Sequence, residues 1–156
     1  AATDPAKMDL VKPGSAEEKA GIEAFKQYYK VFAADVIRRD TKKLYAKDAF
    51  FKDGYKEVKG VEAIETYFLA TAEAIVSCTF DITDVSVRDG NYYFRWVMNL
   101  TIKRDRDNPM EQIGMSHVRF APDGKVVFHA DYWDTSIVFE RAPVIGSIIR
   151  WAKEQF

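Results

Sequence analysis

The residues best suited to chemistry fall within one short run, His129-Ala130-Asp131-Tyr132-Trp133-Asp134. Alternate residues of a strand point to the same face, so His129, Asp131 and Trp133 share one side. His129 and Asp131 then stand roughly 7 Å apart along the strand. An aspartate beside a tryptophan on an apolar face is suited to exchange a proton with a bound molecule. A histidine two residues away is suited to orient it or to share that proton. The competing reading is a buried structural aspartate bonded to a backbone N–H or to His129. Asp53 is a second carboxylate candidate, although an aspartate directly before Gly54 is also an ordinary turn that needs no chemistry. The chain has two histidines and one cysteine, Cys78. A three-histidine metal site, a cysteine-based zinc site and an internal disulfide are therefore excluded. Asp131, His129 and Asp53 follow no metal-ligand spacing, so neither a metal nor another cofactor is expected.

Positioning these residues requires strands of defined parity. From Ser77 onward the apolar period is 2: Cys78, Phe80 and Ile82 alternate with Thr79, Asp81 and Thr83. Asp89-Gly90-Asn91 is a hairpin signal. Residues 92–103, 112–120 and 125–134 read as three further strands of a meander. On the first of these, Tyr92, Phe94, Trp96, Met98 and Leu100 form an apolar row. Tyr93, Arg95, Val97, Asn99 and Thr101 form a mixed row. The apolar row is expected to face the interior, and Ser116 to join it from the next strand, with His117 outward. Ser15-Ala16-Glu17-Glu18 fits a capping box. It opens a helix with Ile22, Phe25, Tyr29, Phe32, Val36 and Ile37 on one face. This helix is expected to end near Asp40, which would cap a second short helix carrying Leu44 and Tyr45. Residues 50–53 and 55–59 read as a small hairpin. Gly60 then opens a helix with Val61, Ile64, Tyr67, Phe68, Ala72 and Ile75 on its apolar face. Helices followed by a run of strands define an α+β fold. The expected organisation is an irregular lead-in over residues 1–14, one domain over 15–140, and an amphipathic helical extension over 141–156. That last helix is expected to pack on the domain or on a second copy.

Composition narrows the function classes. The chain has 156 residues, with 23 Lys and Arg against 24 Asp and Glu. It shows no one-sign basic stripe, which argues against nucleic acid as a partner. No apolar run approaches the ~20 residues of a membrane helix. With no signal-peptide core at the start, the expected location is the cytoplasm. Aromatic residues make up 14%, enough to line a pocket as well as to fill a core.

The order of elements and several segments together resemble the nuclear transport factor 2-like superfamily, in particular its SnoaL-like and ketosteroid-isomerase-like group. The segments are Leu44-Tyr45-Ala46-Lys47-Asp48-Ala49, Asp53, Gly60, Phe94-Arg95-Trp96, Val118-Arg119-Phe120-Ala121-Pro122-Asp123-Gly124-Lys125-Val126 and, most specifically, His129 to Asp134. The resemblance spans about residues 15 to 140. It implies a cone-shaped fold, in which a curved antiparallel sheet wraps three N-terminal helices around a mostly apolar pocket. It also implies a small apolar ligand and cofactor-independent isomerase, cyclase or epoxide-hydrolase chemistry. The outer row Tyr93, Arg95, Val97, Met115, His117 and Arg119 is mixed enough to serve as the surface of an expected homodimer. Noncatalytic binders and dimeric scaffolds share the fold, so the resemblance alone does not name an activity. Carried over position by position, Asp131, His129 and Asp53 are the catalytic candidates. Tyr29, Phe94, Trp96, Met98, Ser116 and Trp133 are the substrate-binding candidates. The sequence departs from the ketosteroid isomerases at two positions: Ser116 stands where they have a carboxylic acid, and Phe32 where they have a tyrosine. It departs from the limonene-epoxide hydrolases in the second acid, where it has Val97 or Met98, and Arg95 has outward parity.

Overall fold

A computed structural model describes residues 8–155, and the start of the lead-in lies outside them. The elements are helices α1 (Ala16–Lys30) and α2 (Ala34–Leu44), strands β1 (Tyr45–Lys52) and β2 (Glu57–Lys59), helix α3 (Val61–Glu73), strands β3 (Ile75–Arg88), β4 (Asn91–Ile102), β5 (Met110–Phe120) and β6 (Val126–Trp133), and helices α4 (Ser136–Phe139) and α5 (Ile145–Glu154). The strands form one sheet in the order β2-β1-β6-β5-β4-β3. The expected meander accounts for β3 to β6. Beyond it, β1 joins β6 in parallel, so the sheet is mixed rather than wholly antiparallel. The β3–β4 hairpin turns on Asp89 and Gly90, both with positive φ (50° and 76°), the pattern of a two-residue primed turn.

One face of the sheet carries the core. Tyr92, Phe94, Trp96 and Met98 are all buried, as parity requires, and Arg95 and Asn99 on the alternate row are exposed. Two helices cover this face. Phe25 of α1 lies on Phe94 with ring centres 4.4 Å apart, and Phe68 of α3 meets Phe51 of β1 edge-on at 4.9 Å. The start of α1 is capped as expected, with the Ser15 hydroxyl accepting from the Glu18 N–H. The Glu18 carboxylate accepts from the Gly14 N–H and from the Tyr92 hydroxyl, which ties the helix to β4.

The first helix does not run to Asp40. It ends at Lys30, and a second helix begins at Ala34. Between them the backbone pairs with β3: Val31 bridges Thr79, and the Phe32 N–H donates to the Cys78 carbonyl. Sheet hydrogen bonds replace the helical ones there, and no glycine or proline marks the break. Asp40 is inside α2, held by Arg39 and Lys43, and caps nothing. Tyr45 is not helical but opens β1. The terminal helix α5 contacts the chain through its polar side, with Lys153 on Asp134 and Glu140 and Arg150 on the Glu140 carbonyl. Val144, Ile148 and Trp151 are exposed.

Candidate functional site

The covering helices do not fill the sheet's inner face. A cavity of about 240 Å³ remains between α1, α3, the inner face of β3, β4 and β6, and α4. Tyr29, Phe51, Phe68, Cys78 and Trp96 form its buried depth, and the exposed lining residues Tyr55, Thr71 and Ala74 mark its mouth. Asp53, Asp131, Met98 and Trp133 also line it. The wall is mostly aromatic and aliphatic, with a few polar groups, the usual make-up of a small-molecule site.

Asp131 sits at the end of a buried hydrogen-bond network. Its Oδ1 accepts from the Ser116 hydroxyl at 2.5 Å and lies 2.7 Å from His129 Nε2. Among the described residues, every hydrogen bond to this carboxylate ends on Oδ1. Ser116 in turn accepts from the Trp96 indole N–H at 2.9 Å. On the other ring nitrogen of His129, the Tyr45 hydroxyl is 2.7 Å from Nδ1, and the Tyr29 hydroxyl is 2.5 Å from that of Tyr45. Strand pairing explains the convergence. Ser116 of β5 is directly opposite Asp131 of β6, and Gly114 is opposite Trp96. A Cβ on Gly114 would come within 2.2 Å of the Trp96 indole, so only glycine lets that ring lie across β5 toward Ser116. His129 itself is wholly buried, stacked on Tyr45 and met edge-on by Phe51.

Burial pushes the Tyr29 and Tyr45 hydroxyls well above the ordinary phenol range, with Tyr28 adding to the shift of both. Both therefore stay protonated. Burial alone pushes the Cys78 thiol up to about 12, which leaves it unreactive although it lines the cavity.

Asp53 combines both readings open from the sequence. Its Oδ1 accepts from the backbone N–H groups of Tyr55 and Lys56, which is the turn role. Its Oδ2 accepts from the Tyr67 hydroxyl at 2.6 Å, and the residue lines the cavity. Burial first, and Asp53 second, push the Tyr67 hydroxyl upward.

The candidates thus separate into two layers. Asp131, Asp53, Tyr29, Trp96, Met98 and Trp133 line the cavity. His129 and Ser116 are behind Asp131, and Phe94 is packed under Phe25, out of reach of a ligand. Sequence reasoning missed Tyr45, because its segment was assigned to a helix. It also passed over Tyr67 and Phe68 as plain helix packing, although their place on the apolar face of α3 was evident. Among the described residues no group of three or more His, Cys, Asp or Glu is placed to hold a metal ion. No helix among them is long and apolar enough to cross a membrane.

A curved sheet wrapped on helices, with a half-open apolar cavity and an aspartate at its inner wall, defines a cone-shaped α+β protein. The chain belongs to the SnoaL-like domain family, which it matches over residues 16–129. Solved structures share the fold at low identity. One is a ketosteroid-isomerase-like hypothetical protein from Catenulispora acidiphila in complex with trimethylamine, 17% identical, with a TM-score of 0.66 over 78% of this chain and 91% of that one. Another is a SnoaL-like polyketide cyclase, so described provisionally, from Jannaschia, 13% identical, with a TM-score of 0.67 over 85% and 98%. A third is an LEH-like epoxide hydrolase from M. tuberculosis, 14% identical, with a TM-score of 0.63 over 82% and 90%. No curated protein matches the sequence.

Proposed function

We propose that this protein binds a small, largely apolar molecule in the cavity and moves a proton on it without a cofactor, Asp131 being the proton acceptor. The observation that carries this reading is the asymmetry of the carboxylate. Oδ1 is held by Ser116 and His129, and Oδ2 is left to the cavity that Asp131 lines. A carboxylate held by two donors keeps its rotamer, so little reorganisation is needed when a proton arrives. A C–H or O–H proton of the ligand passes to Oδ2, and the same proton returns to a different atom of the ligand. Isomerisation and ring closure fit this step; epoxide hydrolysis fits it with the proton taken from a water that attacks the ring carbon and passed to the ring oxygen as its C–O bond breaks, and proteins described with such activities share the fold.

The test is hydrogen exchange on a panel of small cyclic ketones in D2O, followed by NMR. The protein is expected to catalyse deuterium uptake next to the carbonyl. Asp131→Asn keeps the side chain's shape and its Oδ1 acceptor. It is expected to hold ketone affinity within about threefold and to slow exchange by ~10²–10⁴-fold, the usual worth of a general base. Exchange at the unaltered rate in the variant would remove Asp131 from the chemistry. Binding without exchange in either protein would favour a noncatalytic binder.

A further inference from the structure

We infer that the ligand carries a cationic nitrogen, a protonated amine or a quaternary ammonium, held at a wall of the cavity formed by Asp53 and Asp131. This rests on the reading of the cavity as a ligand site, and adds to it the charge of the molecule that fits.

The wall follows from the one parallel pairing of the sheet. Phe51 of β1 is level with His129 of β6, and Lys52 with Ala130. Asp53 leaves β1 directly after Lys52, Asp131 follows Ala130 on β6, and both line the cavity. Two carboxylates therefore stand on adjacent chains at one face of a 240 Å³ space.

No lysine or arginine answers them inside. Among the described residues, the cavity lining contains no lysine, arginine or histidine. His129 is behind Asp131, with its Nε2 on Oδ1. The Lys56 ammonium is 5.5 Å from the centre of the Tyr67 ring and is not part of the lining. The remaining partners of the two acids are neutral: two backbone N–H groups and the Tyr67 hydroxyl on Asp53, the Ser116 hydroxyl on Asp131. Neutral donors orient a carboxylate without cancelling its charge.

The rest of the wall suits the same ligand. Phe32, Phe68, Phe80, Trp96 and Trp133 line the cavity. Aromatic faces attract a cation and repel an anion. An anionic head would lose its hydration here with no lysine or arginine to replace it. A neutral molecule would use the walls and leave the two carboxylates unanswered. A compact apolar body with a cationic head uses both.

The inference is tested with three probes that share one ring and differ in the head: cyclohexylmethylamine, cyclohexylmethanol and cyclohexanecarboxylate. Binding is read at neutral pH by calorimetry and by the fluorescence of Trp96 and Trp133. The amine is expected to bind at least about tenfold tighter than the alcohol, and the carboxylate not measurably. Asp53→Asn and Asp131→Asn should each weaken the amine and leave the alcohol unchanged, with melting curves checking that both variants fold. If alcohol and amine bind equally, or if both variants keep the preference, the cationic ligand is ruled out while the ligand site stands. If none of the three binds, the ligand-site reading falls with it.

Discussion

The hydrogen bonds that run from Tyr29 through Tyr45 and His129 to Asp131 have one self-consistent arrangement when His129 is neutral. The carboxylate accepts a hydrogen bond from the Nε2–H group, Nδ1 accepts from the Tyr45 hydroxyl, and Tyr45 accepts from Tyr29. Each group then has a partner, so His129 is locked into one tautomer and one orientation behind Asp131. Tyr45→Phe keeps the ring that stacks on His129 and removes only the donor. Leaving Nδ1 unsatisfied in a buried site should cost about 1–3 kcal/mol, read as a lower midpoint in urea denaturation. The Tyr29 hydroxyl is 3.5 Å from Nδ1, too long for a strong bond in its present position. An unchanged midpoint would show that Tyr29 moves in and that Tyr45 is dispensable to the lock. Asp131, His129 and Ser116 were legible as a group because alternate strand residues share a face. Tyr45 was not, since its contribution depends on β1 lying beside β6, 84 positions away in the chain.

At the scale of elements, the place of the Trp96 indole in the cavity wall depends on one position of β5. That position is Gly114, over which the Trp96 indole lies to reach Ser116. In most strands alanine is no worse than glycine, and is often better. Here Gly114→Ala forces the indole away from β5 and into the cavity. We expect a loss of about 1–3 kcal/mol from overpacking and a changed tryptophan emission spectrum, both measurable in one denaturation series. A variant as stable as the parent with unaltered emission would mean that the strand, not the indole, gives way. The break between α1 and α2 has a comparable role. By pairing with Cys78 and Thr79, residues 31–32 bring Phe32 into the cavity wall and turn α2 toward β1. Helical periodicity continues through Val36 and Ile37, so the pattern alone could not place that break.

For the molecule as a whole, the outer sheet face carries a pH-dependent contribution. His117 donates from Nε2 to the Asn91 side-chain oxygen, which also accepts from Arg119, and its ring stacks on Tyr93. Burial, and then the Arg119 charge, lower its pKa to about 4. The folded state therefore keeps His117 neutral where the unfolded chain already binds a proton. Its contribution is fully present above the unfolded value of about 6.5 and is lost as pH falls from there toward 4. The side chain is only half-buried, so solvent screening limits the loss to roughly 1–2 kcal/mol. Urea denaturation between pH 7.5 and pH 4.5 should show that decline, and His117→Gln should flatten it. A parallel decline in the variant would assign the effect to other groups.

What the amino-acid order determined by itself is local: the capping box at Ser15, the period-2 rows on β3 to β6, the turn at Asp89-Gly90, and hence the α+β class with an apolar inner face. These depend on side-chain direction within one element, which periodicity encodes. What only the tertiary structure decided is how distant elements meet. Strand order and register brought Asp53 and Asp131 to one cavity, put Ser116 on Asp131, and brought Tyr45 to His129. They also divided the inward-facing residues into those that line the cavity and those, such as His129 and Phe94, that lie behind it. That division depends on how closely helices and strands approach across the core, a distance that no local pattern contains.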